Sequence, residues 1–165
     1  MFDAYMEIKG IPGDSEDKQH KGWIEFQSFS HGVSQSIGGA RSYAGSATSG
    51  RCDHQDMTII KAVDSASPEL FKKCCAGTHI DTVTIKLMRA SGESQTRVTF
   101  MQWDFKDVVI SSVSPGGSAQ GGDPVESVSL NYGEIKLTYV KSKGQGGGEA
   151  GKVMGGWSVT KNCLV

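Results

Sequence analysis

The stretch Thr82–Leu87, TVTIKL, alternates strictly between polar and apolar residues, and it sets the terms for the whole chain. Successive side chains of a strand point to opposite faces, so Val83, Ile85 and Leu87 form one apolar face and Thr82, Thr84 and Lys86 the other. The same pattern recurs. Met6 and Ile8 oppose Glu7 and Lys9, and Val98 and Phe100 open a long run that continues through Trp103 to Val113. The short turn ASGE, Ala90–Glu93, makes the runs on either side of it antiparallel neighbours. In VESVSLNYGEIKLTYV, Val128, Leu130 and Tyr132 share one parity and Ile135, Leu137 and Tyr139 the other, with Gly133 at the change. One extra residue at a bulge there would keep both sets facing the core. With GWIEFQSFS, DMTIIKAV and GWSVT the count is roughly seven to nine strands, which suits a sandwich or barrel.

Glycine punctuates these runs. It occupies 22 of the 165 positions, nearly twice its ordinary share of about 7%. The clusters fall at Ile37–Asp53, expected as a long extended loop, and at 115–124 and 141–156, expected as Gly-rich loops. A length of 165 residues suits a single domain spanning 1–165, with enough surface to bury for one core.

One stretch departs from the alternation. In DSASPELFKKCCAGTHI, Ser67 is placed to cap a helix with Pro68 in its first turn, and Gly77 to end it in the left-handed conformation. Leu70 and Cys74, and Phe71 and Cys75, are four apart and stack on one face, so Leu70 and Phe71 are expected inside, with Lys72 and Lys73 facing outward.

Chemistry is scarce. Cys74 and Cys75 lie near the helix C-terminus, where the dipole disfavours a thiolate. A zinc site recruiting Cys52, His54, Cys74 or Cys75 and His79 matches no usual ligand spacing, so no metal is expected. The four cysteines read as free thiols. His20, His31, His54 and His79 lack a carboxylate at motif spacing and read as surface or capping residues. GGGEAGK, Gly146–Lys152, has phosphate-loop spacing, but Val153 stands where a Ser or Thr is needed and no helix can follow VMGGW. No catalytic residue and no cofactor emerge. With 17 basic and 18 acidic residues the net charge is -1, so no nucleic-acid footprint is expected, and no apolar run approaches the roughly 18 to 20 residues of a membrane span. The N-terminus MFDAYMEIKG interrupts any apolar signal segment with Asp3, Glu7 and Lys9.

The fragments IKGIPGDSEDKQHKGWIEFQSFSHGVSQ, DMTIIKAVDSASPELFKKCCAGTH, VVISSVSPGGSAQGGDPVESVSLNYGEIKLTY and GGWSVTKN, in that order and spacing, resemble the hemolysin-coregulated protein family, the tube subunit of the type VI secretion system. The resemblance runs from about Met6 to Asn162. It implies a mainly β fold, an antiparallel β-barrel of two sheets with one short α-helix on its flank and a long extended loop. It also implies hexameric rings stacked into a hollow tube that a contractile sheath expels, with small effector proteins in the lumen. The partners implied are further copies of the chain, the spike protein at the tube tip, sheath and baseplate proteins and the effectors. The chain would be made and assembled in the bacterial cytoplasm and secreted to the medium or a target cell without a signal peptide. The family carries no catalytic residues, and the toxin domain of some relatives is not expected after Val165.

A ring requires a heterologous interface that closes, and a tube a second one that does not. The helix, with Lys72 and Lys73, is expected at the ring interface. The loop, through Arg41, Tyr43 and Arg51, is expected to stack on the next ring. By resemblance, Ser28 and Ser30 lie near the lumen. The alternative reading of another class is a monomeric β-barrel hydrolase or ligand-binding domain with its site in a pocket between sheets.

Overall fold

The computed structural model describes residues 1–38, 48–90, 97–142 and 149–165. The alternating runs are strands, and each long one pairs with the next. β1 (Asp3–Ile8) lies against β7 (His79–Ala90), β7 against β8 (Arg97–Gly116), β8 against β9 (Val125–Ser142) and β9 against β10 (Glu149–Ser158), all antiparallel. Between them come β2 (Ile24–Glu25), β3 (Ser28–Ser30), β4 (Val33–Gly38), β5 (Thr48–His54) and β6 (Met57–Ala62), and β11 (Cys163–Leu164) closes the series. Eleven strands among the described residues exceed the expected count because β2, β3 and β11 are too short to carry a periodic signal.

The core is the inward parity of these strands. Met6, Met57, Ile59, Val83, Ile85, Phe105, Val108, Val128 and Leu130 have almost no exposed surface. The parity change at Gly133 is present, but not as a bulge. Lys106 pairs with Glu134 and Val108 with Tyr132, so the register passes through Gly133 unshifted. Instead the opposite residue, Asp107, takes a left-handed φ of 52°. Both strands change parity together: Trp103 and Phe105 give way to Val108 and Ile110, as Leu130 and Tyr132 give way to Ile135. Gly133 fits there because a Cβ would stand 3.0 Å from an Asp107 carboxylate oxygen. The register shifts elsewhere, between Ile110 and Ser112.

The main sheet is not closed into a barrel. Its order is β11-β10-β9-β8-β7-β1-β2, with β6 joined to β9 and β3 to β6. β2 pairs with β1 and β3 with β6, but no ladder links β2 to β3. The chain crosses between the two edges at Phe26 and Gln27, whose amides donate to the carbonyls of Ala4 and Ile60. Two residues, Phe26 and Gln27, thus take the place of a closing ladder.

The second sheet is a hairpin, β4 with β5, paired from Val33↔His54 to Gly38↔Thr48 with a register shift between Gln35 and Ile37. The expected loop at 37–53 is therefore strand at both ends. Its polar, Gly-rich sequence hid this because the hairpin is held by its own ladder rather than by burial. The expected loop at 141–156 is likewise corrected, since β9 runs to Ser142 and β10 starts at Glu149. Gly156 sits inside β10 because a Cβ would press within 2.8 Å of the Val165 side chain as the C-terminal strand folds back. At 115–124, strand β8 extends to Gly116 before the turn.

The helix α1 (Ser67–Ala76) packs on β8 and ends as expected, with Gly77 left-handed at φ 57° and its amide on the Cys74 carbonyl. Two expectations about it fail. Ala66, not Ser67, is the N-cap residue, because the Ser67 hydroxyl accepts from the Asp64 amide and donates to Glu126. Phe71 is 61% exposed, whereas Leu70 is fully buried. The buried stripe is Ala66, Leu70 and Cys74 at intervals of four, and Phe71 with Cys75 lies about 100° around the helix from it.

Candidate functional site

A groove enclosing about 940 Å³ lies where the root of the β4–β5 hairpin meets β8, β9 and β10. Trp103, Leu137, Met154 and Trp157 make its apolar wall, and His31, Cys52 and His54 one end of it. Antiparallel pairing explains why the histidines meet: His31 precedes β4, and His54, the last residue of β5, pairs with Val33. Both reach one hydroxyl on β9. The Tyr132 oxygen is 2.6 Å from His31 Nε2 and 3.3 Å from His54 Nδ1, and it lies 3.2 Å from the Gln55 carbonyl oxygen. Burial pushes the His31 imidazole below its ordinary range, and His54 adds to the effect. Burial pushes the Tyr132 hydroxyl well up, with Asp56 and Cys52 acting the same way.

This arrangement clamps the root of the hairpin to β9. His54 is turned to Tyr132, and the Cys52 thiol reaches the Asp53 carbonyl at 3.8 Å, so no hydrogen bond joins thiol to base. All four cysteines are free, and among the described residues no group of His, Cys, Asp and Glu is set to hold a metal. Two histidines depart from the sequence reading. His20 is buried, stacked on Tyr5 at 4.5 Å, with Nδ1 2.9 Å from an Asp17 oxygen. That carboxylate is held below its usual range: desolvation raises it, but hydrogen bonds from the His20 ring and from the Gln19 and His20 amides together outweigh it. His79 does pair with a carboxylate, Asp107, at 2.7 Å, but across strands and on an exposed face. No hydroxyl or thiol is hydrogen-bonded to its Nε2 among the described residues.

The other singled-out residues are scattered. Ser28 and Ser30 are exposed on β3, flanking Phe29, which packs on the core. Lys72 is exposed and 3.4 Å from Glu69, and Lys73 is half-buried. The Arg51 guanidinium donates to the carbonyl of Val159, pinning the hairpin to the chain after β10. Arg41 and Tyr43 lie outside the described residues.

Sequence reasoning missed a buried ionic cluster. Lys61 and Glu126 are register partners on β6 and β9, both buried, with Nζ 2.8 Å from Oε1. The same ammonium donates to Asp64 at 2.6 Å and to the Ala62 carbonyl at 2.8 Å, which ties the helix entrance to the sheet. The signal was present: Lys61 shares parity with Met57 and Ile59, and Glu126 with Val128 and Leu130.

Comparison with known proteins places this geometry. Residues 5–139 match the family model for the type VI secretion system effector Hcp. Protein hcp1 of Pseudomonas aeruginosa is 32% identical over 160 residues, covering 97% of this chain and 96% of that protein. Among solved structures, a type six secretion system protein superposes with a TM-score of 0.90 at 26% identity over the whole of both chains. Hcp1 of Salmonella typhimurium superposes at 0.79, with 28% identity over 99% of each chain. With a family match across most of its length and a fold shared from end to end, the chain belongs to the Hcp family of type VI secretion system proteins.

Proposed function

We propose that this structural secretion protein is the tube subunit of a type VI secretion system: six copies close a ring, and rings stack into a hollow tube that carries small effectors in its lumen. The observation that carries this reading is the β4–β5 hairpin, which among the described residues has no ladder to the main sheet and is held to it by side chains that include His31, Arg51 and His54. A hairpin that adds so little to its own core is suited to a neighbouring copy. A head-to-tail ring needs two different patches on each subunit. Two unpartnered apolar surfaces are available on different elements, Phe71 on the outer face of α1 and the groove walled by β10. Lys72 and Lys73 flank the first. Stacking falls to the hairpin, with Arg41 and Tyr43 in the sequence between its two strands, and Arg51 keeping N–H donors beyond the one given to Val159. Ser28 and Ser30, outward on β3, are the lumen candidates. The spike, sheath and baseplate are the remaining partners, and expulsion by the sheath replaces export by a signal peptide.

Replacing residues 39–47 by a short Gly-Ser turn should leave the fold and the ring intact, because halving the length of a connection changes its closure entropy by only about 0.6 kcal/mol. Solution mass should be that of the parent ring, while electron microscopy of concentrated protein should show few or no tubes. Tubes as abundant as the parent's would move stacking to the strand rims. The groove favours a second reading, a monomeric ligand-binding domain, for which the native protein would weigh one chain.

A further inference from the structure

We propose that His31, His54 and Tyr132 form an acid-sensitive latch that holds the root of the β4–β5 hairpin against the main sheet near neutral pH and releases it as the His31 imidazole takes up a proton. The inference rests on the single chain and does not require the tube.

The hydrogen-bond inventory sets the protonation state of the closed latch. A tyrosine hydroxyl has one proton and two lone pairs. The Gln55 carbonyl can only accept, so the hydroxyl proton points there, and both imidazoles donate to the oxygen, His31 from Nε2 and His54 from Nδ1. Neutral His54 therefore carries its lone pair on Nε2, which is buried and has no partner among the described residues. A proton added to His31 sets a charge in this half-buried cluster, and the His54 ring beside it supplies no counter-charge.

The surrounding groups do not neutralise this. From β9 the cluster meets Tyr132, whose hydroxyl stays protonated because burial, Asp56 and Cys52 all push it up. From β5 it meets Cys52, which offers no base to either ring. From the β5–β6 corner comes Asp56, already accepting from Ser111 at 2.5 Å and Asn131 at 2.8 Å and bonded to neither imidazole. β8 and β10 contribute Trp103 and Met154, without charge.

The direction follows from proton linkage. Released into water, His31 regains an ordinary value of about 6.5. Docked, it is lowered by burial first and by His54 second. The docked state thus binds fewer protons, so its advantage is complete above about pH 6.5 and declines as pH falls toward the depressed docked value. Below that, Arg51 on Val159 and the hairpin's own ladder remain.

Hydrogen exchange of the purified full chain tests this, with amide protection in β4 and β5 compared at about pH 7.5 and about pH 5 after correction for intrinsic exchange. Hairpin protection should fall by about tenfold or more in acid while β7 and β8 keep theirs, and the His31→Gln/His54→Gln variant should lose that pH dependence. An unchanged hairpin in the parent, or the same fall in the double variant, would overturn the latch. Should the double variant not fold, NMR titration of the parent's imidazole carbons decides: His31 should titrate below about 6.5 in step with the hairpin signals, and titration at or above that value sinks the proposal.

Discussion

Glu126→Ala should cost the subunit about 3 kcal/mol of stability, read from denaturant unfolding at fixed protein concentration. The reasoning starts from Lys61, which has no exposed surface yet carries an ammonium. Removing Glu126 takes away the acceptor at 2.8 Å, and with it the partner of the Ser67 hydroxyl at 2.6 Å. Breaking one side of a buried pair costs about 3 to 5 kcal/mol, because the remaining charge is stranded. The lower end applies here, since Asp64 keeps its grip at 2.6 Å. Replacing both partners, Lys61→Met with Glu126→Leu, should recover most of the loss by removing the stranded charge. If Glu126→Ala unfolds within about 1 kcal/mol of the parent, the cluster is not a stability element.

The second large effect lies on the helix. Leu70→Asp should leave no folded population at ambient temperature. Leu70 is fully buried in the main cluster, and losing its side chain there costs about 2 to 5 kcal/mol before the desolvation of an unpaired carboxylate is added. Phe71→Asp is the matched control, one residue away and 61% exposed. It should stay within about 0.5 kcal/mol of the parent in subunit stability, while assembly weakens if the outer helix face meets a neighbour. A Leu70→Asp protein that melts like the parent would mean that the helix is held by something other than its Ala66–Leu70–Cys74 stripe.

Much of the fold was legible because its long strands carry their own register. Alternation at Thr82–Leu87 and the switch at Gly133 locate β7 and β9, and Pro68 with Gly77 brackets α1. What was hidden shares a cause: it depends on partners distant in sequence. The β4–β5 hairpin is stabilised by cross-strand pairing between polar residues, so no burial pattern marks it. Phe71 looks like a core residue by type, and only the packing direction of the helix puts it outside. The change at Gly133 looks like a bulge from one strand, but Asp107 on the facing strand makes the same change, so the pair keeps its register. The site was less legible still. His31, His54 and Tyr132 are far apart in sequence and meet only through the β4–β5 and β6–β9 pairings. Family resemblance, carried by the order of whole fragments, pointed to the tube where no single side chain could.

The mass of the native protein in solution, taken with negative-stain images of the same sample, tests the tube reading most directly. The account predicts annular particles weighing about six chains, which associate face to face as concentration rises. A particle of one chain mass at every concentration, with no rings in the images, would contradict it.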